Sequence, residues 1–230
     1  MELTSPLFWT ALGSIILANV LLSGDNAVVI AMAARGLPAN RQKQAIVLGS
    51  AAAIVMRIVL TLIAVKMLAL PYLKLVGGAA LLWIGINLLY EDDEEHGHEA
   101  RPIGIGAAVR TILVADLVMS LDNVLAVAAA ARGNTLLLIV GLGVSIPLIV
   151  FGSTMLLKVM QRFPIIIVAG AALLGWLAGE MMLTDPAVAG WIGEVPELAV
   201  KVAGVVGAVL VVAIGKWLQR RAARTKDTAA

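Results

Sequence analysis

The sequence predicts an all-α, polytopic membrane protein of seven transmembrane helices, built as two inverted three-helix repeats plus one extra helix. Three observations predict it. Of 230 residues, 61% are hydrophobic and 14% charged, whereas a soluble domain carries about a quarter charged residues. Seven apolar stretches each approach or exceed the roughly 20 residues a helix needs to cross a hydrocarbon core of about 30 Å. One polar string occurs twice, at an offset of 97 residues.

The apolar stretches are residues 7–34, 45–65, 73–90, 104–131, 136–159, 163–184 and 198–218. The opening MELTSP has no basic n-region, so the first stretch is expected to stay as a span and not to leave as a signal peptide. Basic residues in short loops set orientation. With the N-terminus outside, Arg35, Arg41, Lys43, Arg101, Lys158 and Arg162 fall inside, with Lys216, Arg220, Arg221, Arg224 and Lys226 of the tail. Lys66, Lys74, Arg132 and Lys201 fall outside, so eleven against four predicts N-terminus out and C-terminus cytoplasmic. Arg57 and Arg110 are left within the second and fourth spans. Trp9, Tyr72, Tyr90, Trp191 and Trp217 stand near span ends, where amphipathic rings anchor at the interface. Pro147, with Gly141, Gly143 and Gly152, marks the fifth span for a kink or close packing.

Residues 18–36 and 115–133 are identical at nine of nineteen positions, including Ser23/Ser120, Asp25/Asp122, Asn26/Asn123 and Arg35/Arg132. A weaker echo joins GAALL at 78–82 to GAALL at 170–174. Spans one to three and four to six then read as two copies of one unit. Three helices per copy make the second cross in the opposite sense, the inverted repeat of many secondary transporters, whose sites form near the midplane. The expected organisation is a first repeat at 1–90, an acidic cytoplasmic loop at 91–103, and a second repeat at 104–184. An extracellular loop with the seventh helix follows at 185–218, then a basic cytoplasmic tail at 219–230. The seventh helix has no counterpart and is expected at the periphery. Gly24 offers a place for the first helix to unwind; Leu121, its counterpart, does not.

Acids inside these spans need a reason. Each costs on the order of 2.5–3.5 kcal/mol at a helix centre, so Asp25, Asp116, Asp122 and Glu180 together approach roughly 10 kcal/mol. In the structural reading, Arg57 and Arg110 pair with two of them to fix helix packing. That reading leaves the repetition of Ser-x-Asp-Asn unexplained. In an unbroken helix Asp116, Ser120 and Asn123 share one face over two turns, as do Asn19, Ser23 and Asn26. With Asp25 and Asp122 beside them, these strips hold only carboxylate, amide and hydroxyl donors. Oxygen ligands suit hard cations such as Mg²⁺, Ca²⁺ and Mn²⁺. The expected metal ligands are Asp25, Asn26, Asp116, Asp122, Asn123, Ser23 and Ser120. Arg57 would compensate charge in the empty site, and Glu180 is either a further acid or a hydrated group near the outer surface. The run EDDEEHGHEAR at 91–101 holds six acids and both histidines. It reads as a solvated loop, or as a collector that raises local cation concentration.

Other classes are poorly served. Without cysteine there is no disulfide and no thiolate ligand. A net charge of +2 without a basic, aromatic-laced patch gives nucleic acid no surface. No P-loop and no H-E-x-x-H occurs, and the Gly-x-Gly-Asp of intramembrane aspartyl proteases lacks its first glycine in Leu22-Ser23-Gly24-Asp25. No enzyme activity and no permanently bound cofactor are expected.

The strings LLSGDNAVVIAMAARGLP and LVMSLDNVLAVAAAARG resemble the TerC family, and SGDNAVVIA is most similar to its YjbE-like branch. The likeness covers nearly the whole chain, including GAALLWIGINLL at the end of the third span. It implies an integral protein of the bacterial plasma membrane, in an exporter superfamily with members that export Mn²⁺ and a history of association with tellurite resistance. The family's acidic signature falls on Asp25, Asn26, Asp122 and Asn123, with Asp116 one helical strip away. Members often carry an acid six residues before the first Asp-Asn aspartate, where this chain has Asn19. Taken together, the sequence predicts a secondary transporter that exports a divalent cation, Mn²⁺ first, by rocking one repeat against the other. With no ATPase, an ion gradient supplies the energy. The expected partners are the cation and the lipid bilayer. The alternatives are export of a small organic solute such as an amino acid, and a membrane scaffold that transports nothing.

Overall fold

Pro38 ends one helix and opens the next, because proline lacks the N–H a helix interior needs and turns the residue before it away from helical geometry. Punctuation of this kind sets most element boundaries in the computed structural model, which describes residues 6–21, 24–67, 70–94, 104–131, 134–193 and 195–227. Among them every regular element is helical. The order is α1 (Pro6–Leu21), α2 (Gly24–Arg35), α3 (Ala39–Met67), α4 (Leu73–Glu94), α5 (Ile105–Ala131), α6 (Thr135–Arg162), α7 (Ile165–Leu183), α8 (Pro186–Ile192) and α9 (Glu197–Asp227).

Five of these, α3, α4, α6, α7 and α9, are long and apolar enough to cross a bilayer. At 27 residues α5 has the length, about 40 Å by helical rise, but it carries Arg110, Asp116 and Asp122. It runs unbroken through Asp122 and Asn123, and α6 likewise passes Pro147 without interruption. The expected opening at Gly24 adjoins residues 22 and 23, outside the described residues. Three ends differ from expectation. Asn40 to Gln44 are helical because Arg, Lys and Gln favour helix, and Gln42 Nε2 donates to the Arg35 carbonyl at 3.1 Å to close the α2–α3 hairpin. The acidic run begins inside α4, which continues to Glu94; the rest, 95–101, lies outside the described residues. The stretch read as tail extends α9 to Asp227.

The chain divides into two compact units. One takes residues 1–35, 39–69 and 105–158, the other 36–38, 70–104 and 159–230. Neither unit is one sequence repeat: each draws helices from both halves.

In the first unit α5 is the common neighbour of α1, α2 and α3. Gly49 faces Ile112, Arg57 faces Asp116 and Leu60 faces Val124, so α3 and α5 run in the same direction. Gly49 allows the approach, because a methyl there would meet Ile112 Cδ1 at 2.5 Å. Gly141 does the same for α6 against Ile15 of α1.

In the second unit α9 is no peripheral addition. Its contact with α7 is the most extensive of any helix pair among the described residues. Small residues four apart let backbones meet in a membrane, where apolar burial drives no association. Gly175 and Gly179 of α7 lie directly on the carbonyls of Gly207 and Ala203. This order makes α7 and α9 antiparallel. Gly85 against Val211 and Leu89 against Gly215 make α4 parallel to α9, and the Leu89 carbonyl accepts from Gln219 Nε2 at 2.6 Å. A Gly179→Leu substitution is expected to force the helices apart and lower stability by about 1–3 kcal/mol or more, read as a fall in thermal midpoint in detergent. Gly143→Ala, with nothing within 4 Å, serves as the neutral control.

Asp185 is the fully buried acid the sequence reading passed over. Its Oδ1 accepts from the N–H of Ala187 at 2.7 Å and of Tyr72 at 3.0 Å, and its Oδ2 from Leu75 at 3.1 Å. One carboxylate therefore caps α8 and the start of α4, satisfying N–H groups that helix starts leave open. Tyr72 has a φ of 68°, a left-handed turn that aims its N–H at the acid, and its ring meets Trp191 edge-on at 6.3 Å. Burial pushes the Asp185 carboxyl up, but the N–H donors of Ala187, Tyr72, Leu75 and Lys74 outweigh it and hold it below the usual value. With the folded value depressed, its contribution is complete above about pH 4 and drains as pH falls through the folded value. Asp185→Asn is expected to lower stability at pH 7 by about 1–2 kcal/mol and to flatten this acid dependence, measured by thermal unfolding from neutral to low pH.

Candidate cation site

The site grows from α5. Asp116 and Ser120 are one turn apart on its buried face, and the Ser120 hydroxyl donates to Asp116 Oδ2 at 3.2 Å. Arg57 of α3, 2% exposed, donates from Nη2 to Asp116 Oδ1 in a buried ion pair. Thr61 donates to the Arg57 carbonyl at 2.7 Å, so its hydroxyl is spent on its own helix. Along α3, Ser50, Ile54, Arg57 and Thr61 are all buried. They form one interior strip at helical spacing.

Asp25 joins this pair from α2. It stands in the first turn, half-buried, and accepts the Asn26 N–H on Oδ1 at 2.8 Å. Both Arg57 and Asp116 are near enough for their charges to act on it. Asn26 is 2% exposed, and among the described residues neither its Oδ1 nor its Nδ2 has a hydrogen-bond partner. Buried polar groups are almost always paired, since an unpaired one costs about 1–3 kcal/mol. Ser50 Oγ is buried and, among the described residues, unpartnered too.

The other expected ligands are placed less fully. Asn123 is half-buried on α5, one helical strip from Asp116 and Ser120. The backbone of Asp122 belongs to α5, but its side chain lies outside the described residues, as does all of Ser23. Glu180 belongs to the second unit, where Gly204 of α9 lies against its Cγ and Thr184 bonds its carbonyl at 3.0 Å. Arg110 is exposed near the start of α5. Among the described residues no three His, Asp or Glu side chains come together. The charges of Arg57 and Asp116 both act on Asp25, while the one ion pair shown in this region is Arg57 with Asp116. The first unit thus brings two acids and an amide, all hard oxygen donors, to the same helices as one buried guanidinium.

Fold and site define a class: a polytopic helical membrane protein with a buried charge pair beside an Asp-Asn string. The profile of the "Integral membrane protein TerC family" matches residues 4–223. The chain belongs to the TerC family. It is 46% identical over 167 residues to the Bacillus subtilis (strain 168) membrane protein YjbE, covering 73% of this chain and 76% of that one, which supports the YjbE-like branch. YceF of the same organism is 29% identical over 61% of this chain and 58% of its own. The inner membrane protein YgdQ of Escherichia coli (strain K12) is 25% identical over 70% and 75%. No solved structure matches the chain.

Proposed function

We propose that this protein is a secondary transporter that exports a divalent cation, Mn²⁺ first, through the site on α2, α3 and α5. One observation carries the reading: the Asn26 amide, next to Asp25, is buried with both its polar atoms unpartnered among the described residues, in the unit that holds the buried Arg57–Asp116 pair. A carboxamide oxygen and carboxylates are the ligands a hard cation takes. Asp25, Asn26, Asp116, Ser120 and Asn123 would hold the ion, with Ser23 and Asp122 of the two strings. In the empty site the Arg57 guanidinium stands in for the cation at Asp116. An arriving ion displaces it, and its return drives the ion off.

Helix directions support seven crossings arranged as inverted repeats. Single crossings by every span require α3 parallel to α5, α4 antiparallel to α7 and α9 parallel to α4, the directions within each unit. The basic-residue count supports a cytoplasmic C-terminus.

The test is accumulation of radiolabelled Mn²⁺ in everted membrane vesicles under an imposed pH gradient, where export appears as uptake. Accumulation above vesicles lacking the protein, lost when the gradient is dissipated, is the expected result. No accumulation by protein confirmed folded and inserted would turn the site over to the organic-solute or scaffold readings.

A further inference from the structure

A groove of about 580 Å³ runs along α9 in the second unit, floored by Ala172 of α7 with Ala208 and Ala213 of α9. Short side chains on two closely packed helices leave an apolar channel open along its flank. At one end the channel meets Lys216 and Arg220, one turn apart on the same face. Both are exposed, and among the described residues neither is in an ion pair. Trp217 stands between them at 56% exposure, with the Arg221 guanidinium over its ring at 5.4 Å. An apolar channel closed by an interfacial tryptophan and two cations matches a molecule with a hydrocarbon chain and an anionic head. We propose that this groove binds one anionic phospholipid, with an acyl chain along the alanines and the phosphate between Lys216 and Arg220. A zwitterionic lipid brings its own cation to the same place and gains less from the two basic residues. The groove shares no residue with the cation site and does not depend on the transport reading.

Native mass spectrometry of the full chain in detergent tests it, with dioleoylphosphatidylglycerol titrated against dioleoylphosphatidylcholine. The wild type is expected to retain the anionic lipid at lower concentrations. Lys216→Gln with Arg220→Gln is expected to weaken that binding roughly thirtyfold and leave phosphatidylcholine unchanged. Ala213→Trp, at an exposed position, is expected to weaken both lipids by filling the channel. Equal retention of the two lipids, or an unchanged preference in the double variant, overturns the proposal. So does unaltered binding to Ala213→Trp, which would leave the chain outside the groove. Displacement of the lipid by millimolar inorganic phosphate would also overturn it, reducing the site to one for free anions.

Discussion

Asp25→Asn is expected to abolish cation accumulation in everted vesicles, by about a hundredfold or more, while expression and insertion stay at wild-type levels. The substitution keeps the shape of the side chain and an oxygen to accept the Asn26 N–H, so the first turn of α2 keeps its bond. What it removes is one negative charge from a half-buried place shared with Arg57 and Asp116. A divalent ion leaving water needs that charge, because in a low-dielectric interior neutral oxygens alone do not replace its hydration. The same result is expected of Asp122→Asn in the second string. Wild-type transport by either variant would remove the shared site. A change in bound partner proteins with no flux in the wild type would favour the scaffold.

The ion pair separates structure from transport. Arg57→Met leaves Asp116 buried without its cation, and breaking a buried pair from one side costs about 3–5 kcal/mol. This variant is expected to express poorly and melt early. Arg57→Met combined with Asp116→Leu removes both charges and fills the space with apolar atoms, a replacement that is often neutral or stabilising. The double variant is therefore expected to recover its thermal midpoint and to transport nothing. Recovery of folding and transport together would reduce the pair to packing and take Asp116 out of the ligand set.

How far the sequence foretells all this depends on the range of the interaction. The strip of Asp116, Ser120 and Asn123 was legible because it lies within one helix, where spacing alone fixes the shared face, and α5 is unbroken there. Arg57 stood out as an intramembrane charge. Its pairing with Asp116, 59 residues on, depends on which helices meet, and periodicity does not encode that. Asp185 was missed although Thr184-Asp185-Pro186 is a helix-start signal, an N-cap residue before a proline at N1. It sat at the end of an apolar stretch and was read as a boundary. The place of α9 was written in Gly175, Gly179 and Gly207, but small residues reveal a close approach only once their partner helix is known. Asn19 at the position of the expected acid also gains a context. At the same offset of 97, Asp116 corresponds to Asn19 and Arg57 to Thr154, so the counterparts of both members of the ion pair are neutral.

The separation between Arg57 and Asp116 has a consequence for biogenesis. Chain elongation at roughly 5–20 residues per second puts Asp116 some 3–12 s behind Arg57, with all of α4 made in between. During that interval α3 carries a guanidinium whose buried ion-pair partner does not yet exist. Its place in the membrane is provisional until α5 arrives, and the insertion machinery must shelter a charged helix through the synthesis of the next one. Birth order, as much as final contact, is a constraint on this site.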